Sequence, residues 1–211
     1  MPSRDPELLR ILDASFARAA ESAGEHLVCK QGCTACCHGA FAISQLDAAR
    51  LRVAMVELRG TNPRLAGEVE GRAKKWLAEN GDEFPGSLTT GLLGESDEER
   101  ARFEEYANDA ACPALNLETG LCDVYAARPM TCRIFGPPVR VDAGEATEVA
   151  GEAATALGHC ELCFTNATTD VVAACEMELP HTLEAELLEE LARSKGQAHE
   201  NGETLVVFAL L

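Results

Sequence analysis

Ten cysteines, at positions 29, 33, 36, 37, 112, 122, 132, 160, 163 and 175, are the residues of this 211-residue chain whose type and spacing can carry chemistry. Four of them fall in one short run, Cys29-Lys30-Gln31-Gly32-Cys33-Thr34-Ala35-Cys36-Cys37. A Cys-x-x-Cys turn lets two thiolates converge on one soft cation, and Gly32 relaxes the backbone where the chain must fold around it. The adjacent pair Cys36 and Cys37 demands either a tight turn, so that both serve one centre, or two centres. The later cysteines lie on short, turn-rich segments of the kind that supply thiolate ligands. The competing reading is that cysteine is here a small buried apolar residue. It suits Cys175, which follows Val171-Val172-Ala173-Ala174, but not the run from 29 to 37, where lysine, glutamine, glycine and threonine separate the thiols without an amphipathic period.

Two sharper chemistries share part of this spacing. Cys29-x-x-x-Cys33-x-x-Cys36 has the three-cysteine spacing of radical S-adenosylmethionine enzymes. Those enzymes need strand–helix alternation after the motif, whereas helical patterns follow one another here, and Ala35 stands where an aromatic residue usually precedes the third cysteine. A thioredoxin-like dithiol fails for the same want of a βαβ frame.

The rest of the composition narrows the class. The formal charge is −17 and the pI about 4.6, so a nucleic-acid backbone finds no cationic footprint. The longest apolar run, Leu205 to Leu211, is far short of the roughly 20 residues that span a bilayer. No apolar h-region follows the charged N-terminal residues, so the expected location is the cytoplasm, with thiols reduced and free for metal.

The elements that must position the cysteines read as mainly helical. Asp5 as cap and Pro6 at the first turn open a helix with an apolar stripe at Leu8, Leu12, Phe16 and Ala19, ending at Gly24. Ser44 opens a second, ending near Gly60; Asn62-Pro63 opens a third, ending near Gly81; and the Ser96/Glu99 capping box opens a fourth over 97–110. Residues 82–95 read as a surface loop. From Cys112 to Tyr125 two short apolar stretches flank Glu118-Thr119-Gly120, the pattern of a small β-hairpin, and Arg128-Pro129 opens a helical turn carrying Cys132. Residues 136–158 read as loop with a weak strand at 139–141, residues 182–192 as a helix, and residues 204–211 as a terminal strand or helix.

The ordered blocks Cys-x-x-x-Cys-Thr-Ala-Cys-Cys, Cys112-Pro113-Ala114-Leu115 and Gly120-Leu121-Cys122-Asp123-Val124-Tyr125-x-x-Arg128-Pro129-x-x-Cys132-Arg133-x-Phe135 resemble the YkgJ family of cysteine-cluster proteins, described as zinc- or iron-chelating CxxCxxCC domains. The resemblance implies a metal-binding domain, zinc or iron–sulfur, with Cys29, Cys33, Cys36, Cys37, Cys112, Cys122 and Cys132 as ligands. Cys160 and Cys163 are the candidates to complete a set of about eight. Cys175 matches no motif position and is left out. Arg128 and Arg133 would then sit beside the thiolates, offsetting their charge and donating hydrogen bonds to sulfur. His38 and His159, each beside a cysteine, read as hydrogen-bond partners more than ligands.

The expected fold is a single mainly α domain, 1–211, with a small β-hairpin, organised around a cysteine-ligated metal core. The core takes residues 26–43 and 112–175, with a helical insertion at 44–111 and a C-terminal helix and tail at 180–211. The expected function is metal binding, by zinc or iron and including an iron–sulfur cluster, in a structural or redox role, with a metal ion and a protein as partners. Two alternatives stand beside it: an S-adenosylmethionine-dependent protein lysine methyltransferase, by analogy with a flagellin lysine methylase that carries a similar cluster, and a zinc-stapled protein interaction module.

Overall fold

The computed structural model describes residues 1–30, 32–140, 157–195 and 202–211. Its helices are α1 (Asp5–Ala23), α2 (Gln45–Thr61), α3 (Pro63–Asn80), α4 (Asp97–Glu104), α5 (Met130–Ile134), α6 (Thr169–Ala174), α7 (His181–Lys195) and α8 (Val206–Ala209). Its strands are two residues each: β1 (Ala42–Ile43), β2 (Gly86–Ser87), β3 (Leu92–Leu93), β4 (Leu115–Asn116), β5 (Leu121–Cys122), β6 (Val139–Arg140), β7 (Leu157–Gly158) and β8 (Thr204–Leu205). The chain divides into two compact units, one of residues 1–2, 31–132 and 187–211, the other of residues 3–30 and 133–186.

In the first unit α2 and α3 start at side-chain caps. Ser44 accepts the amide of Asp47, and Asn62 accepts that of Leu65, each satisfying an otherwise orphaned donor. The helices bury Leu51 and Met55 of α2 against Val69, Ala73 and Trp76 of α3, and the chain's last residues, Leu205, Val207 and Leu210, close the same core. The tail is therefore both of the expected elements, a strand and then one helical turn. Residues 82–95 are not merely a surface loop, because β2 and β3 form a hairpin there. β8 pairs with both β1 and β3, giving a four-stranded antiparallel sheet in the order β1-β8-β3-β2 that two-residue strands leave almost no pattern to foresee.

The fourth helix has the expected capping box, with Ser96 and Glu99 each accepting the other's backbone amide, but it ends at Glu104 instead of 110. Tyr106 explains the difference. Its ring packs edge-on to Trp76 and Phe84, its hydroxyl donates to the Asn80 carbonyl at 2.9 Å, and the chain turns away through Ala107 at φ 52°. Fixing the ring on the end of α3 outweighs continuing a helix whose exposed face is almost wholly charged.

The second unit holds α1 and α6, which pack together, and the β6–β7 pair, in which Val139 stands opposite Gly158. The strand expected at 139–141 is present as β6; residues 141–156 of the expected loop lie outside the described residues. One of the unit's cores is small and rich in sulfur: Ala23, Cys160, Cys163, Phe164 and Cys175, with Leu27, Cys29, Phe135, Ala167 and Val172 packed against it. Among the described residues no helix is long and apolar enough to cross a membrane.

Candidate metal centre

The Cys36–Cys37 pair lies in a 3₁₀ turn over Ala35–Cys37, closed by the Cys37 amide on the Thr34 carbonyl at 2.8 Å. This tight turn brings the adjacent sulfurs into hydrogen-bond contact, which extended backbone would forbid. Cys36 donates, so the Cys37 thiol is held below its ordinary value while that of Cys36 is driven up. The chain then runs antiparallel to the segment before the hairpin: Gly39 donates to Ala110 at 2.9 Å, His38 bridges Ala111, and the Cys37 carbonyl accepts the Cys112 amide at 2.7 Å.

The β4–β5 hairpin carries the next thiols. Leu115 stands opposite Cys122, and Asn116 accepts the amides of Glu118 and Thr119 to close the turn. Gly120, at φ 69°, faces the Gly32 carbonyl and the Thr34 methyl, so the turn lies against the residues flanking Cys33. Arg72 of α3 straps the hairpin, donating to the Pro113 carbonyl at 2.8 Å and the Asp123 carboxylate at 2.5 Å. Cys132 comes from α5, anchored by the buried Asp47 of α2. That carboxylate accepts the Met130 amide at 3.1 Å and pairs with the equally buried Arg50.

These segments place Cys36, Cys37, Cys112, Cys122 and Cys132 within electrostatic reach of one another. Burial pushes Cys112 up to about 11 and raises Cys122; it raises Cys132 further, helped by Cys112 and Cys36. Without a cation these thiols hold their protons. The backbone is nevertheless arranged for sulfur as an anion: the amides of Ala114 and Leu115 point at the Cys112 sulfur, and that of Val124 at the Cys122 sulfur. Amides two and three residues on, aimed back at a thiol, favour its thiolate form and suit a metal ligand. Among the described residues no three histidine, cysteine, aspartate or glutamate side chains converge on an ion-sized point as they stand, so a cation would draw the sulfurs inward.

A family model, CxxCxxCC, described as "Putative zinc- or iron-chelating domain", matches residues 28–149, more than half of the chain. The chain belongs to the CxxCxxCC family. The match takes in Cys29 through Cys132 and stops short of Cys160, Cys163 and Cys175. Neither a curated protein nor a solved structure matches the chain. Metal binding by zinc or iron is the property that the CxxCxxCC description supports.

The remaining sequence candidates are placed as follows. Cys33 is half-buried in the turn that leads into the Cys36–Cys37 pair. Cys29, Cys160 and Cys163 are in the second unit, with Cys29 Sγ 3.9 Å from Cys163 Sγ. Arg128 stacks over the Tyr125 ring at 4.0 Å and exerts a lowering field on the Cys122 thiol. Arg133, buried, pairs with Asp13 of α1 at 3.0 Å. His159 reaches the Cys160 carbonyl with Nδ1 at 3.1 Å and packs on Phe164. Cys175, which matches no motif position, is buried in the same small core as Cys160 and Cys163, with Cys29 packed against that core.

Proposed function

We propose that the protein is a cysteine-cluster metal-binding protein whose first unit holds zinc or iron through Cys36, Cys37, Cys112, Cys122 and Cys132, with Cys33 at the edge of the set. The observation that carries this reading is that five thiols, from a 3₁₀ turn, the hairpin with the residues just before it, and a short helix, lie within electrostatic reach of one another, with backbone amides already directed at two of the sulfurs. Inert core thiols need no such amides. A bound cation would ionise the thiols and staple these three segments together; iron would add the capacity to pass an electron. A cytoplasmic location, where thiols stay reduced, suits the same reading. Burial raises the Cys122 thiol, and the positive charges of Arg128 and Arg72 act against it, in favour of the thiolate.

The test is to purify the full chain without oxygen and measure zinc, iron and acid-labile sulfide per chain. Stoichiometric zinc, or iron with or without sulfide, is the expected result and also names the metal. A folded chain that is metal-free and takes up neither metal overturns the proposal.

A further inference from the structure

We infer that Cys29, Cys160, Cys163 and Cys175 form a metal site of their own within the second unit, built for a single tetrahedral soft cation such as Zn²⁺. The inference rests on reading the chain as a thiolate metal protein, but it draws on other residues and adds Cys175, which no motif marks.

Three of the five buried residues of this small core are cysteines, and a fourth cysteine packs against them. A core that merely needed small apolar side chains would draw on the alanines and valines abundant in this chain. The Cys29 and Cys163 sulfurs are 3.9 Å apart. A Zn–S bond of about 2.3 Å makes the edge of a thiolate tetrahedron about 3.8 Å, so this pair already stands at the spacing of two ligands on one ion. Thiolates bound to different irons of a cluster stand further apart. The Cys163 thiol also acts electrostatically on that of Cys160, so two thiols lie near Cys163.

The local backbone is made for such a site. In the turn Cys160-Glu161-Leu162-Cys163 the Cys163 amide donates to the Cys160 carbonyl at 2.9 Å, and the amides of Leu162 and Cys163 face the Cys160 sulfur. This repeats the arrangement at Cys112, two amides aimed back at a thiol. The turn then forces Phe164 to φ 58°, a left-handed conformation that a bulky side chain adopts only where its surroundings over-determine it. Its amide is pinned to the His26 carbonyl at 2.8 Å, and its ring packs against those of both His26 and His159. On the other side Gly136, at φ 129°, lets the backbone approach so closely that a Cβ there would stand 2.9 Å from Cys29 Sγ. Cys175 ends α6 and is buried, so its thiol has no solvent to face. As they stand the four side chains do not yet converge on one point, so a bound cation would have to draw the Cys160 and Cys175 sulfurs in toward the Cys29–Cys163 pair.

The test titrates metal-free full chain with Co²⁺ without oxygen and reads the visible absorption of tetrahedral thiolate cobalt, in wild type and in Cys29→Ser, Cys175→Ser and Cys122→Ser. Wild type should bind at least two equivalents. C29S and C175S should each lose one equivalent and keep the absorption that C122S abolishes. Full retention by both C29S and C175S overturns the inference while leaving the first centre standing; loss only in these two, with none in C122S, overturns the first centre instead. Because C175S could fail to fold, iodoacetamide labelling of wild type is the second measurement. Zn²⁺ should slow alkylation of the half-buried Cys29 at least tenfold, and equal rates with and without Zn²⁺ count against the site.

Discussion

The sulfur of Cys29 lies 3.9 Å from that of Cys163, 134 residues further along the chain, although Cys29 reads in the sequence as the first member of the run that continues through Cys33, Cys36 and Cys37. The boundary between the two compact units passes within that run, leaving Cys29 with one unit and the other three with the other. The motif that reads as one run in sequence is thereby divided between the two units.

Metal binding should be strongly pH-dependent. Cations bind thiolates, and in the metal-free chain burial keeps Cys112 protonated up to about 11, with Cys122 and Cys132 also raised. Each such thiol must give up its proton as zinc enters. With two or more protons displaced, the apparent Kd should rise on the order of a hundredfold for each pH unit of acidification near neutrality. Competition against a chromophoric chelator at pH 6.5, 7.5 and 8.5 checks this, and a flat profile would mean that the thiols are already ionised. The stability of the metal-free chain follows the same sign. A thiol whose folded pKa is raised leaves stability intact below its ordinary value near 9, and stability falls as pH climbs from there towards 11, because the unfolded chain ionises first.

Asp47→Asn should be among the most damaging substitutions in the first unit. The carboxylate is buried with Arg50 and also holds the Met130 amide, so a neutral amide removes the charge that offsets the buried guanidinium and weakens the bond at the start of α5. Breaking one partner of a buried pair costs about 3–5 kcal/mol. Urea unfolding should show a loss of that order. Because α5 carries Cys132, the metal content of the folded fraction should fall with it.

How much of this was legible follows from how local each signal is. The caps at Ser44, Asn62 and Ser96 act within three residues, so the starts of α2, α3 and α4 stood in the sequence, and the turn Glu118-Thr119-Gly120 likewise announced β4 and β5. Thr204, which pairs with both Ile43 and Leu92, makes contacts at separations above a hundred residues through two-residue strands, and no periodicity announces those. The end of α4 was set by a distant partner, the Asn80 carbonyl that Tyr106 reaches. The family resemblance marked the thiols from Cys29 to Cys132 as one set, but which sulfurs stand together is a matter of tertiary packing. Cys175, beside two valines and two alanines, carries no local sign that its neighbours in space are cysteines.

Arg72→Met should separate positioning from ligation. Methionine keeps an unbranched apolar stem of similar length but loses the donors to Pro113 and Asp123 that hold the hairpin. The ion pair is only partly exposed, so the expected loss in chemical unfolding is about 1–3 kcal/mol. All ligand thiols remain, so the zinc stoichiometry should be unchanged while zinc dissociates several-fold faster into excess chelator.

Gly136→Ala tests how closely the second unit is built around the Cys29 sulfur. The residue sits at φ 129°, where an alanine is strained, and the added Cβ would meet Cys29 Sγ at 2.9 Å and the Leu27 side chain at 3.3 Å. Relief requires the Cys29 thiol to leave its position, which is the position that sets it 3.9 Å from Cys163 Sγ. Strain of this kind costs about 1–3 kcal/mol, so the variant should unfold at lower urea concentration. Its Co²⁺ titration should also lose the same equivalent that C29S loses, while the equivalent sensitive to C122S stays. An alanine variant with wild-type stability and full cobalt binding would show that the glycine only serves the turn, and that the Cys29 sulfur is free to sit elsewhere.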